Sequence, residues 1–173
     1  FDRQKHIWNN KVTGKTIVKD INNNPVCLAS LSEVEQIKAI LLYSTLPGAS
    51  RHHWGTDLDV YAPNLLTANQ TLQLEPWEYD ETGPFAHLSS WLSQHSKSYG
   101  FYMPYDSYRG GVAPEPWHIS YAALAQQYMI QLTGEHLVQV IRANNIEASS
   151  TLVENIDLII DKYIKNVGDP NNG

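Results

Sequence analysis

The stretch Ser-Arg-His-His-Trp-Gly-Thr-Asp-Leu-Asp at residues 50–59 combines a turn, a strand and several potential metal ligands. His52 lies between Gly48 and Gly55, and glycines in such positions favour turns. Residues 56–61 alternate polar and apolar side chains, which predicts a strand that carries Asp59. Because the turn at Gly55 folds the chain back, His52 and Asp59 can converge on one metal ion.

A second stretch, Ala-Pro-Glu-Pro-Trp-His-Ile-Ser-Tyr at residues 113–121, supplies another histidine and a carboxylate. Residues 117–121 predict a strand, while Pro116 holds Glu115 in an extended conformation. A regular strand would place Glu115 and His118 on opposite faces. We therefore expect the prolines to kink the chain so that both side chains face one cleft, where Glu115 can serve as a general base beside a metal ion.

The rest of the chain predicts helices separated by short strands and loops. Helical spacing and Pro or Gly punctuation predict helices at residues 1–10, 32–46, 84–100, 124–132, 135–143 and 151–167. Capping boxes are predicted for two of these helices, from Ser32 and Glu35 and from Thr151 and Glu154. Short strands are predicted at residues 17–18 and 101–103, and residues 63–83 form a long insert. This order indicates an α+β fold: a small antiparallel β-sheet flanked by helices, with a zinc site in a cleft on the sheet.

Length and composition suit one globular domain over residues 1–173, with C-terminal helices at residues 123–167. The net charge of −6 argues against nucleic acid or an anionic membrane as a partner. Cys27 is the single cysteine, which excludes an intrachain disulfide, and no apolar run is long enough to span a bilayer. The chain opens without Met or a signal peptide, so we expect it to be truncated at its N terminus.

The two motifs together resemble the signature of a known enzyme family. The pattern Ser-x-His-x-x-Gly-x-x-x-Asp, followed by Glu-Pro-Trp-His, is similar to that of the VanY-like D-alanyl-D-alanine and L,D-carboxypeptidases, relatives of lysostaphin-type endopeptidases and the hedgehog signalling domain. The resemblance covers roughly residues 1–121. It implies that His52, Asp59 and His118 bind Zn2+ and that Glu115 is the catalytic base. It also implies a bacterial enzyme of the cell envelope or periplasm that acts on peptidoglycan stem peptides.

Substrate contacts are predicted from proximity to the motifs, since a carboxypeptidase must bind the free carboxylate of its substrate. The predicted substrate-binding residues are Ser50, Arg51, Trp54, Asp57, Tyr108, Arg109 and Trp117. For Trp117, packing in the core is an equally good interpretation. Asp57 stands where the family usually has a small residue. We expect that Asp57 does not bind the metal, although it would share a face with Asp59 on a regular strand. The family's substrate-binding arginine would lie upstream of Phe1, and Arg3 does not align with it.

The predicted function is zinc-dependent hydrolysis of a peptide bond at or near a C-terminal D-alanine. One alternative is a non-catalytic binding domain that keeps zinc for structure, but Glu115 would have no use there. Another alternative is a peptidoglycan endopeptidase. The sequence does not separate these two kinds of cleavage, nor a D,D bond from an L,D bond.

Overall fold

The computed structural model describes residues 1–170, so the last three residues of the predicted domain lie outside the described part. The helices are α1 (Asp2–Val12), α2 (Glu33–Leu41), α3 (Ala86–His95), α4 (Ala122–Gln131), α5 (Gly134–Ala143), α6 (Ser149–Glu154) and α7 (Ile156–Ile159). A π-helical turn, Ile160–Ile164, continues α7. The strands are β1 (Asp57–Asp59), β2 (Phe101–Tyr102) and β3 (His118–Tyr121). Short 3-10 turns occur at Leu28–Ser30, Arg51–Trp54, Pro63–Leu65, Pro76–Glu78 and Ser96–Tyr99.

The three strands form one antiparallel sheet in the order β1-β3-β2. In the pairing of β1 with β3, Asp57 lies opposite Ser120 and Asp59 lies opposite His118. Side chains directly opposite each other in such a pair are close neighbours on one face of the sheet. The predicted α+β class with a small antiparallel sheet is confirmed, and the register already places the first motif beside the second.

The main hydrophobic core joins the two ends of the chain. Trp8 of α1 and Ile40 of α2 pack in the same cluster as Leu137 of α5 and Ile159 of α7, and all four are almost completely buried. The predicted helices at residues 1–10, 124–132 and 135–143 are confirmed as α1, α4 and α5. Helices α5, α6 and α7 therefore share one core with α1 and α2, whereas α4 contacts β3 and the turn Arg51–Trp54.

A smaller cluster lies under the insert at residues 63–83. Tyr79 and Phe85 pack with Trp117, which immediately precedes β3. The carboxylate of Glu78 is buried and accepts hydrogen bonds from the backbone N–H groups of Gln73 and Glu75. Hydrogen bonds to the buried carboxylate of Glu78 therefore stabilise the insert. The insert packs against Trp117, which lies between Glu115 and His118 of the second motif.

The structure corrects three local predictions and confirms a fourth. The capping box of Ser32 and Glu35 is present at the start of α2. The predicted cap at Thr151 is wrong, because α6 begins at Ser149 and the buried Thr151 hydroxyl bonds to Glu33 of α2. The chain also leaves the α-helix at Asn155 and its helical turns end at Ile164, short of the predicted residue 167. Residues 17–18 form no strand, and only an isolated bridge joins residues 19 and 25.

Among residues 1–170, no helix has both the length and the apolar character needed to cross a membrane.

Candidate metal centre

Three side chains from the two motifs converge at one end of the sheet. His52 comes from the 3-10 turn before β1, Asp59 from the end of β1, and His118 from the start of β3. Asp59 Oδ1 lies 3.4 Å from His52 Nε2 and 3.6 Å from His118 Nδ1, and one ligand atom from each residue lies within 4.8 Å of the other two. His118 is buried, whereas His52 and Asp59 are exposed, so the cluster is open to solvent on one side.

Hydrogen bonds orient both imidazole rings of the cluster. His52 Nδ1 lies 3.1 Å from the backbone oxygen of Asp57, and His118 Nε2 lies 2.8 Å from the Asp57 carboxylate. Since the backbone oxygen can only accept, His52 Nδ1 is the donor and its Nε2 is directed at the cluster. The ring centroids of His52 and His118 are 4.7 Å apart.

Glu115 reaches the same cluster through a tight turn. The backbone N–H of His118 donates to the carbonyl of Glu115 at 3.0 Å, and the N–H of Glu115 donates to the carbonyl of Tyr105 at 2.9 Å. Glu115 Oε2 lies 2.9 Å from His118 Nδ1. The kink expected from Pro116 is therefore present, and it places the carboxylate on the same side as the histidine.

The buried charges of the cluster shift one another's pKa values. Burial alone lowers the pKa of His118, but hydrogen bonds and charges from Asp57 and Glu115 outweigh it and raise the pKa to about 9. Burial raises the pKa of Asp57, yet the bonds from His118 and Arg51 hold it well below its usual range. The hydrogen bond to Asp59 raises the pKa of His52 against the opposing effect of burial. The site concentrates negative charge around two histidines, as a cation site requires.

A cavity of about 270 Å³ contains the cluster. Its walls include His52, Asp59, Glu115 and His118, together with Gln4, Ile7, Tyr43, Ser44, Thr45, Ser50, Arg51, Tyr105 and Trp117. A second cavity of about 530 Å³ adjoins the first and shares three of its wall residues, Tyr43, Glu115 and Trp117. That second cavity lies between the segment at residues 17–23 and the insert residues 73–77, and it extends the first cavity past Glu115.

The predicted substrate-binding residues fall into two groups. Ser50, Arg51 and Trp117 line the cavity beside the cluster. Trp54 instead packs near Tyr128, and the exposed Tyr108 and Arg109 lie outside the two cavities. The guanidinium of Arg109 pairs with Asp106.

Asp57 is buried and bonds to His118 and to its neighbour Thr56. Two side chains of this network that lie further along the chain were also not predicted from the sequence. Ser120 bonds to Asp57, and Tyr102 bonds to Arg51. Ser120 lies two residues after His118 on β3, so the alternation of the strand could have indicated it. Tyr102 lies on β2, and no local pattern links it to either motif.

Comparison with known proteins places the chain in a family. The profile of the VanY D-alanyl-D-alanine carboxypeptidase family matches residues 1–124, and the chain belongs to this family. An uncharacterised protein of Haemophilus influenzae is 40% identical over 121 residues, which cover 69% of this chain and 92% of that protein. A solved structure, VanYB in complex with D-alanine-D-alanine, matches with a TM-score of 0.44 and 20% identity. This match covers 80% of the chain but only 65% of the VanYB chain, just under two thirds of its length.

Proposed function

We propose that this protein is a zinc-dependent peptidase that hydrolyses a peptide bond at or near the C-terminal D-alanine of peptidoglycan stem peptides. The observation that carries the proposal is the convergence of His52, Asp59 and His118 with Glu115 in one solvent-open cavity. Membership of the D-alanyl-D-alanine carboxypeptidase family supports the substrate class.

The spacing of the three ligand atoms fits a tetrahedral zinc ion. Zinc–ligand distances of about 2.0–2.2 Å imply ligand atoms roughly 3.3–3.6 Å apart at tetrahedral angles. The two separations from Asp59 Oδ1, 3.4 Å and 3.6 Å, agree with this value. Two histidines and one carboxylate are also a donor set used by catalytic zinc sites, which keep a further position open. The exposure of His52 and Asp59 supports such an open position.

The mechanism assigns the proton transfers to Glu115. When bound, zinc supplies a Lewis acid that polarises the scissile carbonyl and lowers the pKa of the attacking water. Glu115, beside His118 Nδ1 and on the cavity wall, accepts the proton of that water. The same carboxyl group then returns the proton to the leaving amine. Ser50 and Trp117 line the cavity and are proposed to contact the substrate.

Cleavage within a longer peptide is the second candidate, favoured by the larger cavity next to Glu115. A polypeptide on one side of the scissile bond could extend between residues 17–23 and the insert residues 73–77. An exopeptidase releasing D-alanine and an endopeptidase cutting a cross-link would both use the same metal centre. Analysis of the products from defined stem peptides, with and without cross-links, separates the two.

We also propose that the protein acts in the bacterial cell envelope or periplasm, where peptidoglycan is accessible. This location rests on the family's substrate.

Metal analysis tests the centre directly. The wild type should bind about one zinc ion per chain, and His52→Ala and His118→Ala should each lose it. His136→Ala is the matched control, because His136 is an exposed histidine on α5 away from the cluster. Full zinc retention in both cluster variants would refute the metal site.

Glu115→Gln separates an enzyme from a binding domain. The amide keeps the size of the side chain but cannot accept the proton, so turnover of a peptide ending in D-Ala-D-Ala should fall about 10²- to 10⁴-fold. Zinc content and thermal stability should stay near those of the wild type. Glu81→Gln, a change at an exposed acid in the insert, should leave turnover unchanged. Equal turnover in Glu115→Gln and the wild type would assign the base elsewhere. Turnover is assayed on protein that includes the residues upstream of Phe1, where the family's arginine is expected, and inactivity of this zinc-loaded wild type on all stem peptides would favour the binding domain.

A further inference from the structure

Asp57 lies at the centre of a buried polar network beneath the metal centre. The side chains of Asp57 and Arg51 are 0% and 1% exposed, and Arg51 Nε donates to Asp57 Oδ1 at 2.8 Å. The other Asp57 oxygen, Oδ2, accepts from the hydroxyls of Thr56 at 2.6 Å and Ser120 at 2.9 Å. With His118 Nε2 at 2.8 Å from Oδ1, the carboxylate has four donors. Its lone pairs are therefore engaged by the protein.

Arg51 also makes most of its polar contacts within this network. Its Nη2 donates to the hydroxyl of Tyr102 at 2.7 Å and to Ser120 Oγ at 2.8 Å. Its guanidinium also lies over the ring of Trp54, 4.7 Å from the ring centroid. Breaking such a buried pair leaves an uncompensated charge, so Arg51 and Asp57 depend on each other. These contacts favour a structural role for both residues over direct binding of a substrate carboxylate.

Asp57 acts on both histidines of the cluster through different atoms. Its carboxylate accepts from His118 Nε2, and its backbone oxygen accepts from His52 Nδ1. A proton held on Nε2 of His118 leaves Nδ1 for the metal, which would replace the Nδ1 proton that faces Glu115 Oε2 at 2.9 Å. A proton held on Nδ1 of His52 leaves Nε2 for the metal. Nδ1 of His118 and Nε2 of His52 are the same two atoms that lie 3.6 Å and 3.4 Å from Asp59 Oδ1.

We propose that Asp57 is a positioning residue that fixes His52 and His118 in opposite tautomers, with Arg51 and Ser120 holding its carboxylate in place. The inference rests on the proposed zinc site. The Asp57 side chain orients His118 alone, because His52 is oriented by the backbone oxygen of Asp57.

The tautomers are tested on the zinc-loaded wild type by long-range ¹H–¹⁵N NMR of the histidine rings. His118 should carry its proton on Nε2 and bind zinc through Nδ1, and His52 should show the reverse. In zinc-loaded Asp57→Asn, the His118 ring N–H should exchange faster with solvent while the His52 ring N–H is unchanged. Zinc bound through Nε2 of His118 in the wild type would overturn the proposal.

Zinc affinity, measured by competition with a chelator, gives a second readout. Loss of a carboxylate partner of a metal-binding histidine should weaken zinc binding about 10- to 100-fold. Asp161→Asn, at an exposed acid on the π-helical turn, is the matched control and should bind zinc like the wild type. A folded Asp57→Asn protein with wild-type zinc affinity would overturn the positioning role, while the zinc site and the peptidase proposal would stand.

Ser120→Ala tests the positioning role of Asp57 if the Asp57→Asn protein fails to fold. This change removes one hydroxyl from Asp57 but keeps the charge pair with Arg51. It should weaken zinc binding in the same direction by a smaller factor and speed the exchange of the His118 ring N–H. Unchanged zinc affinity and exchange in Ser120→Ala would count against the network. Absence of zinc binding in the wild type would instead refute the proposed function.

Discussion

Replacement of Trp8 by alanine should destabilise the whole protein, because this side chain joins the first helix to the C-terminal helices. Trp8 is 0% exposed and lies in the main core with Leu137 and Ile159. Its indole Nε1 donates to the backbone oxygen of Glu147 at 3.1 Å, across the connection between α5 and α6. The change tests our proposal that residues 1–173 form a single domain, although the family profile matches only residues 1–124.

The magnitude follows from the burial of the ring. Truncation of a buried Trp to Ala costs about 3–5 kcal/mol of unfolding free energy. The lost hydrogen bond adds little, since Glu147 is exposed and its carbonyl can bind water. In a protein of this size each kcal/mol lowers the melting temperature by about 2–4 °C, so a fall of roughly 6–20 °C is expected.

Trp91→Ala is the matched control. Trp91 is 47% exposed on α3, and its ring centroid lies 5.3 Å from that of His95 and 5.9 Å from that of Tyr99. Its removal should cost about 1 kcal/mol or less, which is usual for a surface substitution. Thermal and urea unfolding should be followed by tryptophan fluorescence and by far-ultraviolet circular dichroism.

Two results would refute this reasoning. An equally small loss in Trp8→Ala and Trp91→Ala would show that the α1 contact contributes little to the core. Two separate transitions in the wild type, reported differently by the two probes, would show that the C-terminal helices do not unfold together with the candidate metal centre.

Two further changes test local features of the fold by urea denaturation. Gly48→Ala should cost about 2 kcal/mol, because Gly48 has a φ of +92° and an added Cβ would lie 2.9 Å from Val140 Cγ1. Gly14→Ala is the control, because Gly14 has a φ of +71° and no atom lies within 4 Å of an added Cβ, and it should cost only about 1 kcal/mol. An equal loss of stability at both positions would show that the contact with Val140 adds nothing to the cost at Gly48. Ser32→Ala should cost about 1 kcal/mol by removing the capping box with Glu35 at α2. Unchanged stability in Ser32→Ala would show that water replaces the cap.

The sequence by itself determined the features that depend on neighbouring residues. The capping box at Ser32 and the periodicity of α1, α4 and α5 were readable because helix contacts repeat every three to four residues. The kink before His118 followed from Pro116, since proline restricts the residue before it. The motif that contains these residues also indicated the family, which the comparison then confirmed.

Only the tertiary structure decided how the two acids of β1 differ. A strand's alternation puts Asp57 and Asp59 on one face, so this pattern does not separate the two acids, and the choice of Asp59 as a metal ligand rested on the family resemblance. The fold places Asp57 beneath Arg51 and Ser120, whereas Asp59 is exposed in the cavity. Ser120 lies on another strand, and the covering of Asp57 depends on the pairing of β1 with β3.

The same limit explains the wrong prediction at Thr151. Its spacing to Glu154 resembled a capping box, but its hydroxyl bonds to Glu33, far away in sequence. A buried hydroxyl needs a partner, and only the packing of α6 against α2 determines which acid supplies it. Local spacing encodes the elements and the chemistry they carry. Contacts between segments that are distant in the chain decide which polar groups lose water and which partners replace it.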